Sequence, residues 1–138
     1  VGRPIDAANW RVAKTIFVAD DDKTAREYAY GANSPYRFYY KQIGYKLVRA
    51  GRAVLFKENK EQPDSDITPD YLVDKLVIAG SVDKVVDDLL AMYDFLGGFG
   101  ILYYCGMDWV DGRLAKRSME LMAEQVLPRV NHAIARRG

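Results

Sequence analysis

The chain has little of the chemistry that usually announces a function. One cysteine, Cys105, and one histidine, His132, occur in 138 residues. A lone cysteine excludes an internal disulfide and suits a reducing, cytoplasmic compartment. One Cys and one His cannot assemble a Cys/His zinc site, so no metal is expected. An excess of one charge is also lacking: 20 Lys+Arg stand against 19 Asp+Glu, a formal net charge of +1. That balance gives no field that would gather nucleic acid or an acidic membrane surface. No apolar run approaches the roughly 20 residues needed to cross a bilayer. Val1-Gly2-Arg3-Pro4 offers neither a basic n-region nor an apolar core, so no secretory signal is expected, and the missing initiator Met fits a processed, cloned or partial chain. A G-x-G-x-x-G turn is absent after every strand candidate, which counts against a doubly wound nucleotide-binding domain.

What is present is an ordinary globular composition, 49% hydrophobic and 28% charged, with enough chain for one core. Arg11 to Ala19 reads as a strand whose second half, Thr15 to Ala19, is apolar enough for burial on both faces. Asp20-Asp21-Asp22 then caps a helix from Lys23 to Tyr30, stopped by Gly31. Ser34-Pro35 opens a second, aromatic-rich helix to about Ala50. Residues 56–67 read as an exposed loop. A short helix from Thr68-Pro69-Asp70 leads into a strand near 76–79, and Gly80-Ser81 turns into another helix with Ser81 at the N-cap. In that helix Val82, Val85, Val86, Leu89, Leu90, Tyr93 and Leu96 form one apolar face, opposite Asp83, Lys84, Asp87 and Asp88. A third strand lies near 99–105. A loop, 106–112, precedes a closing helix near 113–127, with a break or kink expected at Pro128. Strands alternating with helices imply a parallel sheet with right-handed crossovers.

Several stretches carry a family likeness. Ile78-Ala79-Gly80-Ser81-Val82-Asp83-Lys84-Val85 has the form Ile-Ala-Gly-(Ser/Thr)-Pro, with Val82 where Pro is common. Gly98-Phe99-Gly100-Ile101-Leu102 reads as a last barrel strand, followed by Asp108-Trp109. Ser118 to Arg129, SMELMAEQVLPR, reads as a closing helix, and Arg11 to Ala19 with Ala25-Arg26 as an earlier strand and helix. In order and spacing these resemble the luciferase-like, flavin-dependent monooxygenases, the superfamily of bacterial luciferase and the alkanal and limonene monooxygenases. The resemblance implies an α/β fold, the C-terminal portion of a (β/α)8 TIM barrel, as one fragment over residues 1–138. Such a barrel needs about 250 residues.

The resemblance further implies reduced FMN and O2 as reactants, a small organic substrate and a flavin reductase as partner; the open edges and apolar inner face of a cut barrel make a homo-oligomer the expectation. A deazaflavin oxidoreductase, a non-catalytic barrel relative and a flavodoxin-like α/β domain remain as alternatives. Trp109 would border the flavin ring, or else cap the barrel mouth. Asp108 and Asp111 flank it, as substrate contacts or as caps of the next helix. Gly80 and Ser81 would lie near the flavin, unless Ser81 is only an N-cap. Met107 and Tyr40 would line the substrate pocket, Tyr40 within the group Tyr36, Phe38, Tyr39, Tyr40 and Tyr45, which is too dense for one stripe and so serves an interface or a pocket wall. Cys105 reads as inert packing and His132 as solvent-exposed. No catalytic residue is assigned.

Overall fold

The computed structural model describes residues 6–107 and 110–137. Three strands, β1 (Arg11–Ala19), β2 (Val77–Ser81) and β3 (Ile101–Cys105), form one parallel sheet. Between them lie α1 (Asp22–Tyr30), α2 (Pro35–Arg49), α3 (Pro69–Leu76) and α4 (Val82–Leu96). After β3 come α5 (Gly112–Leu121), a π-helical turn (Met122–Val126) and α6 (Leu127–Ala135).

The strand order is β2-β1-β3. β1 is the central strand, and its C-terminal half, Thr15 to Ala19, is the one stretch of the sheet buried at every position. β2 pairs with its C-terminal half, Thr15 to Ala19, and β3 with its N-terminal half, Arg11 to Thr15. Residues 15–19 are all buried, as an apolar strand covered on both faces requires. Alternation divides them between two cores. Phe17 and Ala19 pack with Tyr28, Tyr36, Tyr40, Leu72 and Met107 from the α1–α3 side. Ile16 and Val18 pack with Val85, Val86, Leu89, Leu121, Met122 and Val126 on the other. Helices therefore lie on both faces, as the flavodoxin-like alternative would have it, and the sheet order departs from sequential winding around a barrel.

Local chemistry accounts for the element ends. Asp21 caps α1, its carboxylate accepting from the Thr24 amide at 2.7 Å. Ser34 caps α2 and Thr68 caps α3 through their hydroxyls. α4 ends at Gly97 with φ 71°, a left-handed conformation that glycine adopts without cost. β3 begins two residues later than expected because the amides of Gly100 and Ile101 both donate to the Trp10 carbonyl. A Cβ on Gly100 would lie 1.8 Å from the Ala8 carbonyl oxygen, so that approach requires glycine. β2 likewise runs later, because Leu76 still belongs to α3. The closing segment does not break at Pro128. The π turn just ahead of it accommodates the missing N–H and the ring, and the helix continues to Ala135.

The 56–67 loop is largely exposed but tied down. Tyr71 Oη donates to the Phe56 carbonyl at 2.7 Å, Lys57 pairs with Asp64 at 2.6 Å, and Lys75 with Glu58 at 3.1 Å. In α2, Tyr36, Tyr40 and Gly44 form the buried stripe, while Phe38 and Tyr45 are more than 60% exposed.

Candidate functional site

β3 stops pairing at Thr15, so the β1 edge beyond it has no strand neighbour on that side. α5 fills the gap. The buried Ser118 hydroxyl accepts the Val18 N–H at 2.8 Å and also meets Tyr104 Oη at 2.8 Å. Next to this bridge, at the C-terminal end of the sheet, is a pocket of about 180 Å3. Phe17, Tyr36, Tyr104, Gly106, Met107, Ala115 and Met119 line it. None of these described residues is ionised near neutral pH, so this part of the wall is apolar.

The phenols around it have different partners. Tyr28 stacks on Phe17 with ring centres 4.2 Å apart and donates to the Met107 carbonyl at 2.9 Å. Tyr104 meets Ser118; burial raises its pKa and the Ser118 contact opposes that. Tyr36 is wholly buried, and its hydroxyl is the one buried side-chain polar atom without a hydrogen bond among the described residues. Burial holds its pKa far above the ordinary tyrosine value, and the nearby Met107 main chain only tempers this. Tyr36 and Tyr104 therefore stay protonated at neutral pH.

A second, larger groove of about 610 Å3 follows the outer edge of β2. Its four cations, Lys14, Arg26, Lys75 and Lys84, nearly cancel its three carboxylates, Asp22, Asp74 and Asp88. Several already pair, Lys84 with Asp88 at 2.5 Å and Lys75 with Glu58.

The structure separates the residues nominated from the sequence. Met107 is buried and lines the apolar pocket. Tyr40 is buried beside the same aromatic cluster, but its hydroxyl meets Thr15 Oγ1 at 2.7 Å and it does not line the pocket. Burial raises its pKa, with the Thr15 contact opposing. Gly80 is buried at the end of β2, and Ser81 is the first residue before α4. Ser81 forms no side-chain cap; its amide donates instead to Asp22 Oδ1 at 2.7 Å. That contact is the main reason the Asp22 carboxyl lies below the usual carboxylate range. Asp111 caps α5, accepting from the Arg113 and Leu114 amides at 3.0 Å. Cys105 is exposed on β3, and His132 is exposed on α6. Asp108 and Trp109 lie outside the described residues. The sequence did not single out Tyr36 among the phenols. Ser118 did leave a trace, as the one hydroxyl on the apolar stripe of the closing helix.

No family model matches the chain. Individual relatives do. Over 134 residues the chain is 35% identical to 4-hydroxyprotoasukamycin monooxygenase of Streptomyces nodosus subsp. asukaensis, covering 96% of the chain and 33% of the relative. It is 27% identical over 131 residues to limonene 1,2-monooxygenase of Rhodococcus erythropolis, covering 94% of the chain and 31% of the relative. Its fold is similar to the oxygenating constituent of 3,6-diketocamphane monooxygenase of Pseudomonas putida, a type II Baeyer-Villiger monooxygenase solved with FMN. There the TM-score is 0.73 and the identity 26%, over 94% of the chain and 35% of that structure. The chain is a homologue of the luciferase-like monooxygenases. Its alternating parallel strands and helices correspond to part of their barrel, and this decides against the flavodoxin-like alternative. The chain spans about a third of the length of these relatives.

Among the described residues the surroundings do not form an FMN site. The helix N-terminus that could receive a phosphate has given its Ser81 amide to Asp22. The apolar pocket, at about 180 Å3, is below the roughly 300 Å3 at which sites for larger ligands begin.

Proposed function

We propose that the chain is the C-terminal portion of a flavin-dependent monooxygenase and contributes one wall of its substrate pocket. The observation that carries this reading is the uncharged, Met107-lined pocket at the C-terminal end of the strands, the end at which barrel enzymes place their active sites. The homology to monooxygenases, one of them solved with FMN, supports it. Reduced FMN and O2 would supply the electrons and the oxygen atom, with a flavin reductase as partner. Since the Ser81 amide is engaged and the pocket is small, the flavin would be held mainly by the parts of the relatives to which this chain does not align.

The residues here would act by shape and exclusion. Phe17, Met107 and Met119 present apolar surface to the substrate and keep water from it. The Tyr28 hydrogen bond to the Met107 carbonyl fixes the start of the loop after β3. The Tyr104–Ser118–Val18 bridge holds α5 against the unpaired edge of β1, which sets the width of the pocket. Within the relatives' overall reaction, the substrate is a small organic molecule.

Exchanging the matching third of the 3,6-diketocamphane monooxygenase for this chain tests the reading. The chimera, supplied with reduced FMN and 18O2, should place one labelled oxygen atom in an organic product. A folded, FMN-binding chimera that consumes reduced FMN but never labels an organic product would overturn it.

A further inference from the structure

We propose that this chain pairs with a second copy of itself through an isologous surface, in which the basic face of α2 lies over the acidic residues 58–66 of the other copy. The pairing is independent of the monooxygenase reading, because it uses the exposed side of α2 and not the Met107 pocket.

The charge balance of the whole chain conceals a sharp division. Between Pro35 and Leu55 stand five cations, Arg37, Lys41, Lys46, Arg49 and Arg52, and no carboxylate. Residues 58–66 then hold four carboxylates, Glu58, Glu61, Asp64 and Asp66, against Lys60 alone. The two strips are neighbours in the fold: Lys41 and Tyr45 from α2 and Asp64 from the loop line one cleft. Close packing of α2 on α3 fixes this arrangement, since a Cβ on Gly44 would lie 2.5 Å from Leu72 Cδ1.

Part of each strip is neutralised within the chain. Arg37 pairs with Asp70, Asp64 with Lys57 and Glu58 with Lys75. The rest is exposed and unpaired. Among the described residues, Lys41, Lys46, Arg49 and Arg52 on one strip and Glu61 and Asp66 on the other take part in no ion pair. Phe38 and Tyr45, both more than 60% exposed, run along the same stripe of α2 as Arg49. Exposed aromatic rings beside arginine have the composition of an interface.

A second copy is the occupant because the surface is complementary to itself. A two-fold axis along the seam between the strips lays the cations of each copy over the carboxylates of the other, and both contacts form at once. Pairing the two basic stripes face to face would instead set like charges together. Tyr45 lies at the seam, so aromatic burial and ion pairing occur side by side.

Sedimentation velocity of the 138-residue chain tests the pairing with two variants at exposed, unpaired positions: Lys46→Glu/Arg49→Glu on α2 and Glu61→Lys/Asp66→Lys on the loop. The parent should sediment as a dimer. Its dissociation constant should rise about 10-fold between about 0.1 M and about 1 M salt, as the screening length falls from roughly 10 Å to roughly 3 Å. Each variant alone should be monomeric with the parent's far-UV circular dichroism, because both of its contacts now join like charges. An equimolar mixture of the two variants should dimerise again, because both contacts then join opposite charges. A parent chain still monomeric at about 100 μM would overturn the proposal, as would variants that dimerise like the parent or a mixture that stays monomeric. So would a different occupant: a monomeric chain that sediments with phosphatidylglycerol vesicles and is released from them by Lys46→Glu/Arg49→Glu.

Discussion

Ser118→Ala is the substitution from which most can be learned about how the pocket is held open. Ser118 and Val18 are both fully buried, and the serine hydroxyl accepts the Val18 amide at 2.8 Å on the edge of β1 that β3 does not reach. Alanine leaves that N–H among Ile16, Leu121 and Met122 with no acceptor. An unsatisfied buried amide costs about 1–3 kcal/mol. Tyr104 loses its partner as well, but it is only half-buried and can turn to solvent, adding about 0.5 kcal/mol. The expected total is about 1.5–3.5 kcal/mol, a fall in Tm of roughly 6–14 °C for a chain of this size. Urea unfolding gives the free energy, and hydrogen exchange should show the Val18 amide losing protection. Tyr104→Phe alone should cost about 0.5–1 kcal/mol, and the double variant should show coupling of about 0.5–1 kcal/mol, because both changes break the same contact. A Ser118→Ala loss below about 0.5 kcal/mol, or a Tyr104→Phe loss equal to it, would refute the bridge as the element that closes the β1 edge.

Gly100→Ala should destabilise by about 2 kcal/mol or more in urea unfolding, because the new Cβ meets the Ala8 carbonyl at 1.8 Å and the entry to β3 must shift. Acid should weaken the fold through Asp20, Asp21 and Asp22. Their pKa values are held below 3.8 by Arg117, by the Thr24 contacts and by the Ser81 amide respectively, so their contribution is present above that value and lost as pH falls through the lowered folded values; Asp22→Asn should flatten the acid limb of a pH–Tm profile. At the alkaline end, burial and the Asp74 contact push Tyr30 up to about 12, so its contribution holds below pH 10 and fades as pH rises from 10 through 12; absorbance titration should show Tyr30 among the late-ionising phenols, with the buried Tyr36, Tyr40 and Tyr104, and Asp74→Asn should move only the Tyr30 component earlier. Exposed Phe38 and Tyr45 make self-association the expected state, and light scattering of Phe38→Ser/Tyr45→Ser should show a smaller particle than the parent chain.

The alternation of elements was legible because each carries its own punctuation. Asp21, Ser34, Thr68 and Asp111 cap helices in the structure as their positions in the sequence suggest, and the amphipathic stripe of α4 buries Val85, Val86 and Leu89. The order of the strands was not legible. Periodicity marks β1 as buried on both faces, but it does not say which neighbour takes which edge, and that choice depends on contacts far apart in sequence. The π turn ahead of Pro128 was missed because it is a property of the backbone around the proline, not of the proline itself. At the site, Met107 could be nominated from its place after a strand. Tyr36 could not be told from Tyr40, one turn away on the same stripe, because only the packed structure shows that one hydroxyl meets Thr15 and the other lies by the Met107 main chain. Ser81 looked like a helix cap open to an anion; Asp22, 59 residues earlier, had already taken its amide.

The central claim is that this chain supplies a substrate wall and leaves most of the flavin site to the remainder of the barrel. FMN titration followed by flavin fluorescence tests it most directly, with the isolated chain and the diketocamphane monooxygenase chimera measured side by side. The account predicts quenching and saturable binding for the chimera and none for the isolated chain. Micromolar FMN binding by the isolated 138 residues, or a folded chimera that does not bind FMN, would contradict it.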